Sequence, residues 1–157
     1  MGRIDYLHDP NAPVANSVVP SVVAFVQDDA GRILLIRRSD NGRWALPGGG
    51  HDAGEFISDT VVREAKEETG IDVQVIDLSG IYTDPGHVMA YDDGEVRQQF
   101  SLCFRARPIG GELRTSDETT EVRWVSPADL QAFDVHPTMR QRIEHALDCG
   151  RRAPYIG

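Results

Sequence analysis

The residues best suited to chemistry are three glutamates in one short segment, Glu64, Glu67 and Glu68. The surrounding pattern predicts a helix over residues 56–69, with Gly70 as a left-handed cap after its last turn. On such a helix the three carboxylates share one stripe within about 100° of arc. One apolar face of the helix is predicted to hold Ser58, Val61, Val62 and Ala65, and the part of the core face nearest the acidic stripe holds Val61, Val62, Ala65 and Thr69. The acidic stripe is therefore expected to border the core.

Carboxylates placed three and four residues apart on a helix repel each other. Only Arg63 and Lys66 lie nearby in the sequence to offset them. A solvated charged face is the alternative for any single Glu-Glu pair. A divalent cation would relieve the repulsion, and carboxylate oxygens are ligands that Mg²⁺ and Mn²⁺ prefer. Three acidic side chains beside a core thus favour a metal site.

Length and charge restrict the partners of the chain. A sequence of 157 residues predicts one domain. The formal net charge of -9 disfavours binding to bulk nucleic acid or to an anionic membrane. A small phosphorylated substrate remains compatible with it, because bound cations can reverse the local field. Cys103 and Cys149 are expected to be free thiols in a reducing compartment, and the cytoplasm is the predicted location because the chain shows no apolar leader.

The glutamate helix must be held by a sheet. Strands are predicted, in chain order, over residues 18–26, 32–37, 71–82, 96–107 and 119–125, and a last helix over 137–147. The first two strands are expected to pair as a hairpin around Gly31. This order predicts an α/β fold with helices on the faces of a mixed sheet.

Segments outside these elements complete the predicted organisation. Residues 1–17 are expected to be an arm without regular structure, residues 18–148 the domain and residues 149–157 a tail. Residues 83–95 are expected to form a long loop, which in a compact domain is often functional. The run Gly48-Gly49-Gly50 is expected to let the backbone turn and approach a ligand closely.

The segment from Gly49 to Ile71 follows the pattern G-x5-E-x7-R-E-U-x-E-E-x-G-U, in which U is aliphatic. It resembles the Nudix box at all nine specified positions, with the small Ala65 at the first aliphatic position. The order of predicted elements is also similar to the Nudix α/β/α sandwich with its mixed central sheet. The resemblance covers about Val18 to Leu147.

The resemblance implies a metal-dependent site of defined composition. The implied ligands of Mg²⁺, or alternatively Mn²⁺, are Glu64, Glu67, Glu68 and the main-chain carbonyl of Gly48 or Gly49. Glu55 would act on the metal through water, and Arg63 would orient the carboxylates by a charge-assisted bond. Water would attack a phosphorus of a bound diphosphate, and metal ions would stabilise the developing charge.

Family members often supply one more glutamate from a loop before the strand that here ends in Arg123-Trp124-Val125. Glu118 lies in a polar loop and is the predicted catalytic residue, while Glu121 is expected to begin the strand and face solvent. Arg38 matches a position at which relatives contact phosphate, and Gly49 is expected at the substrate. A solvated strand end is the alternative for Arg38.

Other residues that could bind ligands have more ordinary interpretations. His51 and His87 are expected to be surface or loop residues, because hard cations favour oxygen ligands. Trp44 and Trp124 are expected to pack in the core and on the sheet.

Three functions are compatible with the resemblance. The first is Mg²⁺-dependent hydrolysis of a nucleoside diphosphate linked to another group, with an ADP-ribose-like substrate weakly favoured by Pro85, fourteen residues past Ile71. The second is the same chemistry on nucleoside triphosphates, as in sanitising members. The third is a non-catalytic nucleotide sensor, which the complete set of carboxylates disfavours. A homodimer is possible by analogy.

Overall fold

The computed structural model describes residues 2–157, so Met1 of the predicted arm lies outside the described residues. The strands are β1 (Arg3–Leu7), β2 (Ser17–Val18), β3 (Ser21–Val26), β4 (Ile33–Arg38), β5 (Trp44–Ala45), β6 (Gly48–Gly50), β7 (Ile71–Tyr82), β8 (His87–Tyr91), β9 (Val96–Gln98), β10 (Ser101–Gly111), β11 (Thr119–Val125) and β12 (Tyr155–Ile156). The helices are α1 (Ile57–Thr69) and α2 (Pro137–Leu147), and a 3-10 helix spans Pro127–Ala132.

The central sheet is mixed and has the strand order β12-β7-β10-β3-β6. Strand β3 runs parallel to β10 and antiparallel to β6, and β7 runs antiparallel to β10. A second sheet has the order β11-β4-β5, and a third has the order β1-β8-β9-β2. The predicted mixed sheet is confirmed.

Alternate residues of β3 face opposite layers, as the two-residue period of a strand requires. Val22, Ala24 and Val26 join a buried cluster with residues of α1, including Val61 and Ala65. Val23 and Phe25 join a second cluster that includes Ile143 of α2. A helix therefore covers each face of the sheet, and the α/β/α sandwich is confirmed.

Helix α1 ends as predicted. Gly70 has a φ of 78°, and its N–H donates to the carbonyl of Lys66 at 2.9 Å. A Cβ at Gly70 would lie 2.2 Å from the carbonyl oxygen of Glu112, so glycine is required both by φ and by space. The predicted apolar face is partly wrong, because Ser58 and Val62 are exposed.

The predicted hairpin of the first two strands is also wrong. Strands β3 and β4 lie in different sheets and share no ladder, and one bridge between Gln27 and Ile33 remains at their turn. Each strand pairs instead with a distant partner, β3 with β10 and β4 with β11. The predicted strand over residues 18–26 is interrupted before Ser21, where Pro20 has no N–H for a ladder.

Three segments predicted to be irregular contain strands. Within the predicted arm, β1 pairs antiparallel with β8, which itself lies in the predicted long loop. In the predicted tail, β12 pairs in parallel with β7. Strands β1 and β12 are short and partly exposed, so their sequences lack a strong alternating pattern. The domain boundaries at residues 18 and 148 stay a prediction. No helix formed by residues 2–157 is both long and apolar enough to cross a bilayer.

Candidate active site

Helix α1 presents its glutamates against strand β6. Glu64 and Glu68 are buried, with exposed fractions of 9% and 5%, whereas the Glu67 side chain is 58% exposed. The N–H of Gly48 donates to Glu68 Oε2 at 3.3 Å. A Cβ at Gly49 would lie 2.5 Å from the carboxylate carbon of Glu64. Glycine therefore lets the backbone of β6 lie close to the Glu64 carboxylate, and the predicted close approach to a ligand stays a prediction.

The two buried carboxylates resist simultaneous ionisation. Burial, and after it the nearby charge of Glu64, raises the pKa of Glu68 to about 8. Burial also raises the pKa of Glu64, although hydrogen bonding to Arg63 opposes this. Arg63 compensates only part of the negative charge that this buried pair would carry, and a cation would supply the rest.

Arg63 joins the loop before α1 to the helix. Its Nη1 donates to Glu64 Oε1 at 2.8 Å and to Glu67 Oε2 at 3.3 Å, while its Nη2 donates to the carbonyl of Gly50 at 3.1 Å. Its Nε donates to Glu55 Oε1 at 2.5 Å. Hydrogen bonds from Arg63, and then from Thr60, lower the pKa of Glu55 to about 2. The guanidinium therefore sets the position of three acidic side chains.

The donors present fit a divalent cation. Glu64, Glu68 and the carbonyls of β6 offer hard oxygen ligands, and the glycines leave the space open. Among residues 2–157, no three histidine, cysteine, aspartate or glutamate side chains are already gathered as a metal-binding group. Glu67 is turned toward Arg63, with 3.3 Å between its Oε2 and Nη1 of Arg63.

The two loop glutamates occupy different surroundings. Glu118 lines the same cavity as Glu68, and its charge contributes to the raised pKa values of Glu64 and Glu68. Its main-chain carbonyl accepts from the N–H of Ser39 at 3.0 Å.

Glu121 lies on β11 and pairs with Arg37 and Arg123, at 2.9 Å each. The structure therefore brings Glu118, and not Glu121, toward the acidic helix. The assignment of Glu118 as catalytic stays a prediction.

Arg38 lies at the end of β4 and also lines the cavity. Its Nε and Nη2 donate to the two carboxylate oxygens of Asp40 at 2.9 and 2.6 Å. Desolvation and this pairing act in opposite directions, and the pKa of Arg38 is raised on balance. A phosphate contact would use its remaining donors, so the predicted role stays a prediction.

A cavity of about 640 Å³ opens beside the carboxylates. Gly48, Glu68 and Glu118 line it on one side, and Arg3 and Asp5 of the N-terminal strand contribute to its wall. The predicted arm is thus part of the site.

The two histidines differ in their outcome. His87 was expected at the surface, and that is wrong: it is 6% exposed and lines the cavity. Its burial follows from the pairing of β8 between β1 and β9. His51 is half-buried, and its Nδ1 is hydrogen-bonded to Thr60 Oγ1 at 2.6 Å.

The tryptophans pack as predicted. Trp44 is buried and meets the ring of Phe133 edge-on at 5.0 Å between centroids, and Trp124 packs against the cluster beneath α1.

Sequence reasoning missed several polar residues of the site. Thr119 donates to the main-chain carbonyl of Glu68 at 3.1 Å and so attaches β11 to α1. Four further polar residues line the cavity: Gln99, Ser101, His136 and Arg142. Ser101 shares a strand face with the buried Cys103, and a polar residue at such a position is the one signal in the sequence that could have identified it.

Comparison with known proteins agrees with this geometry. The model of the NUDIX domain matches residues 18–146. A MutT-like protein of Streptomyces ambofaciens is 40% identical over 128 residues, covering 80% of this chain and 75% of that protein. An ADP-ribose pyrophosphatase of Methanocaldococcus jannaschii is 39% identical over 113 residues, covering 66% of this chain and 60% of that protein.

Solved structures share the fold. An ADP-ribose pyrophosphatase from Streptococcus suis superposes with a TM-score of 0.69 at 23% identity, and the match covers 90% of this chain and 100% of that protein's chain. Fold, complete acidic motif and family match agree, and the chain belongs to the Nudix hydrolase family, whose members act on phosphorus-containing acid anhydrides.

Proposed function

We propose that this protein is a Mg²⁺-dependent pyrophosphohydrolase that cleaves a nucleoside diphosphate linked to a second moiety, with an ADP-ribose-like substrate. The observation that carries the proposal is the single cavity that contains Glu68 and Glu118 and continues past β6 to the side chains of β8 and α2. It offers room for a group on the far side of the diphosphate. The name of the relative from Methanocaldococcus jannaschii, an ADP-ribose pyrophosphatase, supports the same substrate class.

Binding of the diphosphate requires that the acidic site become attractive to anions. Glu64 and Glu68, with a rotated Glu67 and a carbonyl of β6, would hold Mg²⁺, and Mn²⁺ has the same ligand preference. When bound, the cation neutralises the diphosphate and stabilises charge that develops on its oxygens. Arg63 keeps Glu55 and Glu64 in place through its separate hydrogen bonds.

The proposed reaction is attack of water on one phosphorus. A new bond forms between that phosphorus and the water oxygen, and the bridging P–O bond breaks with its electron pair on the leaving phosphate. Glu118 accepts the proton of the attacking water, since it lines the cavity from a loop. The products are two phosphate monoesters.

A hydrolysis panel tests this proposal. The purified protein is incubated with ADP-ribose, other nucleoside diphosphate-linked compounds and nucleoside triphosphates, and the remaining substrate and the products are separated and quantified by ion-exchange chromatography. We expect ADP-ribose-like compounds to be hydrolysed with Mg²⁺ or Mn²⁺, and no turnover in excess chelator. A preference for triphosphates would show that nucleoside triphosphates, as hydrolysed by sanitising members, are the substrate class. Full activity in excess chelator would refute the metal mechanism.

A further inference from the structure

Four buried polar side chains gather on the cavity wall away from the acidic helix. His87, Gln99, Ser101 and Arg142 are 6%, 8%, 2% and 2% exposed, and all four line the cavity. Among residues 2–157, their side chains make one hydrogen bond, from Arg142 Nη1 to the carbonyl of Thr138 at 2.8 Å. The Nε of Arg142 has no partner. Because buried polar groups are nearly always hydrogen-bonded, this set lacks a ligand.

Arg142 is the charged member of this set, and its charge is buried. Within the described chain, no carboxylate lies within ion-pair distance of its guanidinium, which sits 4.4 Å above the centre of the Tyr82 ring. A buried charge without a counter-ion is strongly unfavourable, as when one partner of a buried ion pair is removed. Arg142 is the one lysine or arginine that is buried among residues 2–157. An anion bound in the cavity would compensate it.

The position of the set separates it from the acidic helix. Ser101 lies beside Ser21 of β3, and Ser21 lies beside Gly50 of β6. Two strand spacings place Ser101 about 10 Å from Gly50. That distance exceeds the separation of the two phosphorus atoms of one diphosphate, so a ligand here belongs to another part of the substrate.

Gln99 lies next to His87, and His87 lies next to His136, which directly precedes the helix that carries Arg142. The N–H of Gln99 donates to the carbonyl of His87 at 2.9 Å. The ring of His87 stacks on that of His136, the residue before α2, at 5.7 Å between centroids. Burial, together with nearby cations, lowers the pKa of His87 to about 4 and lowers that of His136. A histidine ring carries no negative charge in either protonation state, so His87 and His136 give Arg142 no counter-ion.

The composition of the set excludes a second metal site. Arginine repels cations, and Asp5, an acidic residue of this wall, already pairs with Arg3 at 3.0 Å. Arginine, glutamine and serine instead donate hydrogen bonds, as recognition of a phosphate requires.

We infer that His87, Gln99, Ser101 and Arg142 form an oxyanion subsite that takes a phosphate monoester carried by the substrate beyond its scissile diphosphate. The link to a substrate rests on the proposed function, whereas binding of phosphate itself does not. Arg142 supplies the charge, and the amide of Gln99 and hydroxyl of Ser101 supply further donors.

Calorimetry with inorganic phosphate tests the subsite without hydrolysis. The titration is done in EDTA, so that the metal-free carboxylates repel phosphate. We expect saturable binding to the wild type and at least about tenfold weaker binding to Arg142→Met, since a charge-assisted hydrogen bond is lost. Acetate serves as the carboxylate probe and should bind more weakly than phosphate. Equal phosphate affinity of the wild type and Arg142→Met, or no binding to the wild type, overturns the inference.

A second variant guards against loss of folding. Gln99→Glu keeps the shape of the side chain and adds a negative charge to the same wall, so phosphate binding should again fall at least about tenfold. Thermal unfolding checks both variants, and without phosphate Arg142→Met should melt no lower than the wild type, because it removes an uncompensated buried charge. Phosphate should raise the melting temperature of the wild type alone.

Matched substrates connect the subsite to catalysis. ADP-ribose is compared with its forms phosphorylated on the adenosine ribose or on the terminal ribose. In the wild type, we expect one phosphorylated form to have a KM at least about tenfold lower than that of ADP-ribose. In Arg142→Met, the phosphorylated form and ADP-ribose should have equal KM values. Equal KM values in the wild type overturn the assignment to substrate. If no compound is hydrolysed, the proposed function fails, and the phosphate titration still decides the subsite.

Discussion

Lowering the pH should destabilise the protein through His87. The ring is buried, and its pKa falls from 6.5 to about 4, with desolvation as the main cause and Arg142, His136 and Arg3 as further contributions. Asp5 opposes the shift. The folded protein therefore keeps His87 neutral, whereas the unfolded chain takes up a proton below pH 6.5. The contribution of neutral His87 to the free energy of unfolding is fully present above pH 6.5 and is lost as the pH falls toward 4.

The size of the effect follows from the two pKa values. Between pH 7 and pH 5 the proton taken up by the unfolded chain is worth roughly 2 kcal/mol for a shift of this size. For a domain of this length, the contribution of His87 lowers Tm by roughly 4–8 °C between pH 7 and pH 5. Protonation of Glu68, whose pKa is raised to about 8, stabilises the folded state over the same range, so the contribution of His87 is the difference between the wild type and a variant. His87→Asn should start from a lower Tm at pH 7, because packing against His136 is lost, but its Tm should fall less than that of the wild type between pH 7 and pH 5.

The measurement is thermal unfolding followed by circular dichroism at several pH values in phosphate-free buffers. His8→Asn is the matched control, since the His8 side chain is 66% exposed and pairs with Asp84 at the surface. It should keep the wild-type dependence of Tm on pH. The reasoning is refuted if His87→Asn loses as many degrees between pH 7 and pH 5 as the wild type does.

The remaining predictions concern the acidic site. Glu118→Gln should lower kcat by ~10²-fold or more with little change in KM, while Glu121→Gln changes each by less than about threefold; steady-state titrations that show the reverse would identify Glu121 as the base. Glu68→Gln should lower kcat by at least ~10²-fold, yet melt at a higher temperature than the wild type in EDTA at pH 7, because burial disfavours the ionised carboxylate of Glu68 and the neutral amide carries no such penalty. Gly49→Ala should fold normally and lose ~10²-fold in kcat, because its Cβ displaces the Glu64 carboxylate; wild-type turnover would show that the carboxylate need not lie there.

The acidic site could be predicted from the sequence because it is local. Glu64, Glu67 and Glu68 lie on one helix, so their spacing alone determines that they share a stripe. The end of that helix at Gly70 follows from the left-handed conformation that glycine adopts easily. Short-range geometry of this kind is contained in residue types and distances along the chain.

The cavity could not be predicted because distant segments build it. Strand β1 pairs with residues at least 80 positions away along the chain, and nothing in either segment alone indicates the other. The predicted hairpin was wrong for a related reason, because β3 and β4 each pair with a strand that is distant in the sequence. Arg142 was missed for another reason, since a charged residue beside the apolar stripe of α2 is expected to face solvent. Here its long side chain extends over Tyr82 instead.

The position of β1 also bears on how this enzyme could diverge from its relatives. Arg3 and Asp5 line the cavity, although the shared domain is matched only from residue 18 onward. Part of the cavity wall is thus encoded apart from the catalytic helix, and we expect mutations in the first few codons to alter substrate preference while leaving hydrolysis intact. We expect close relatives to differ most in selectivity where this short strand differs. Exchange of the strand between them offers a way to redirect the enzyme without redesigning its catalytic helix.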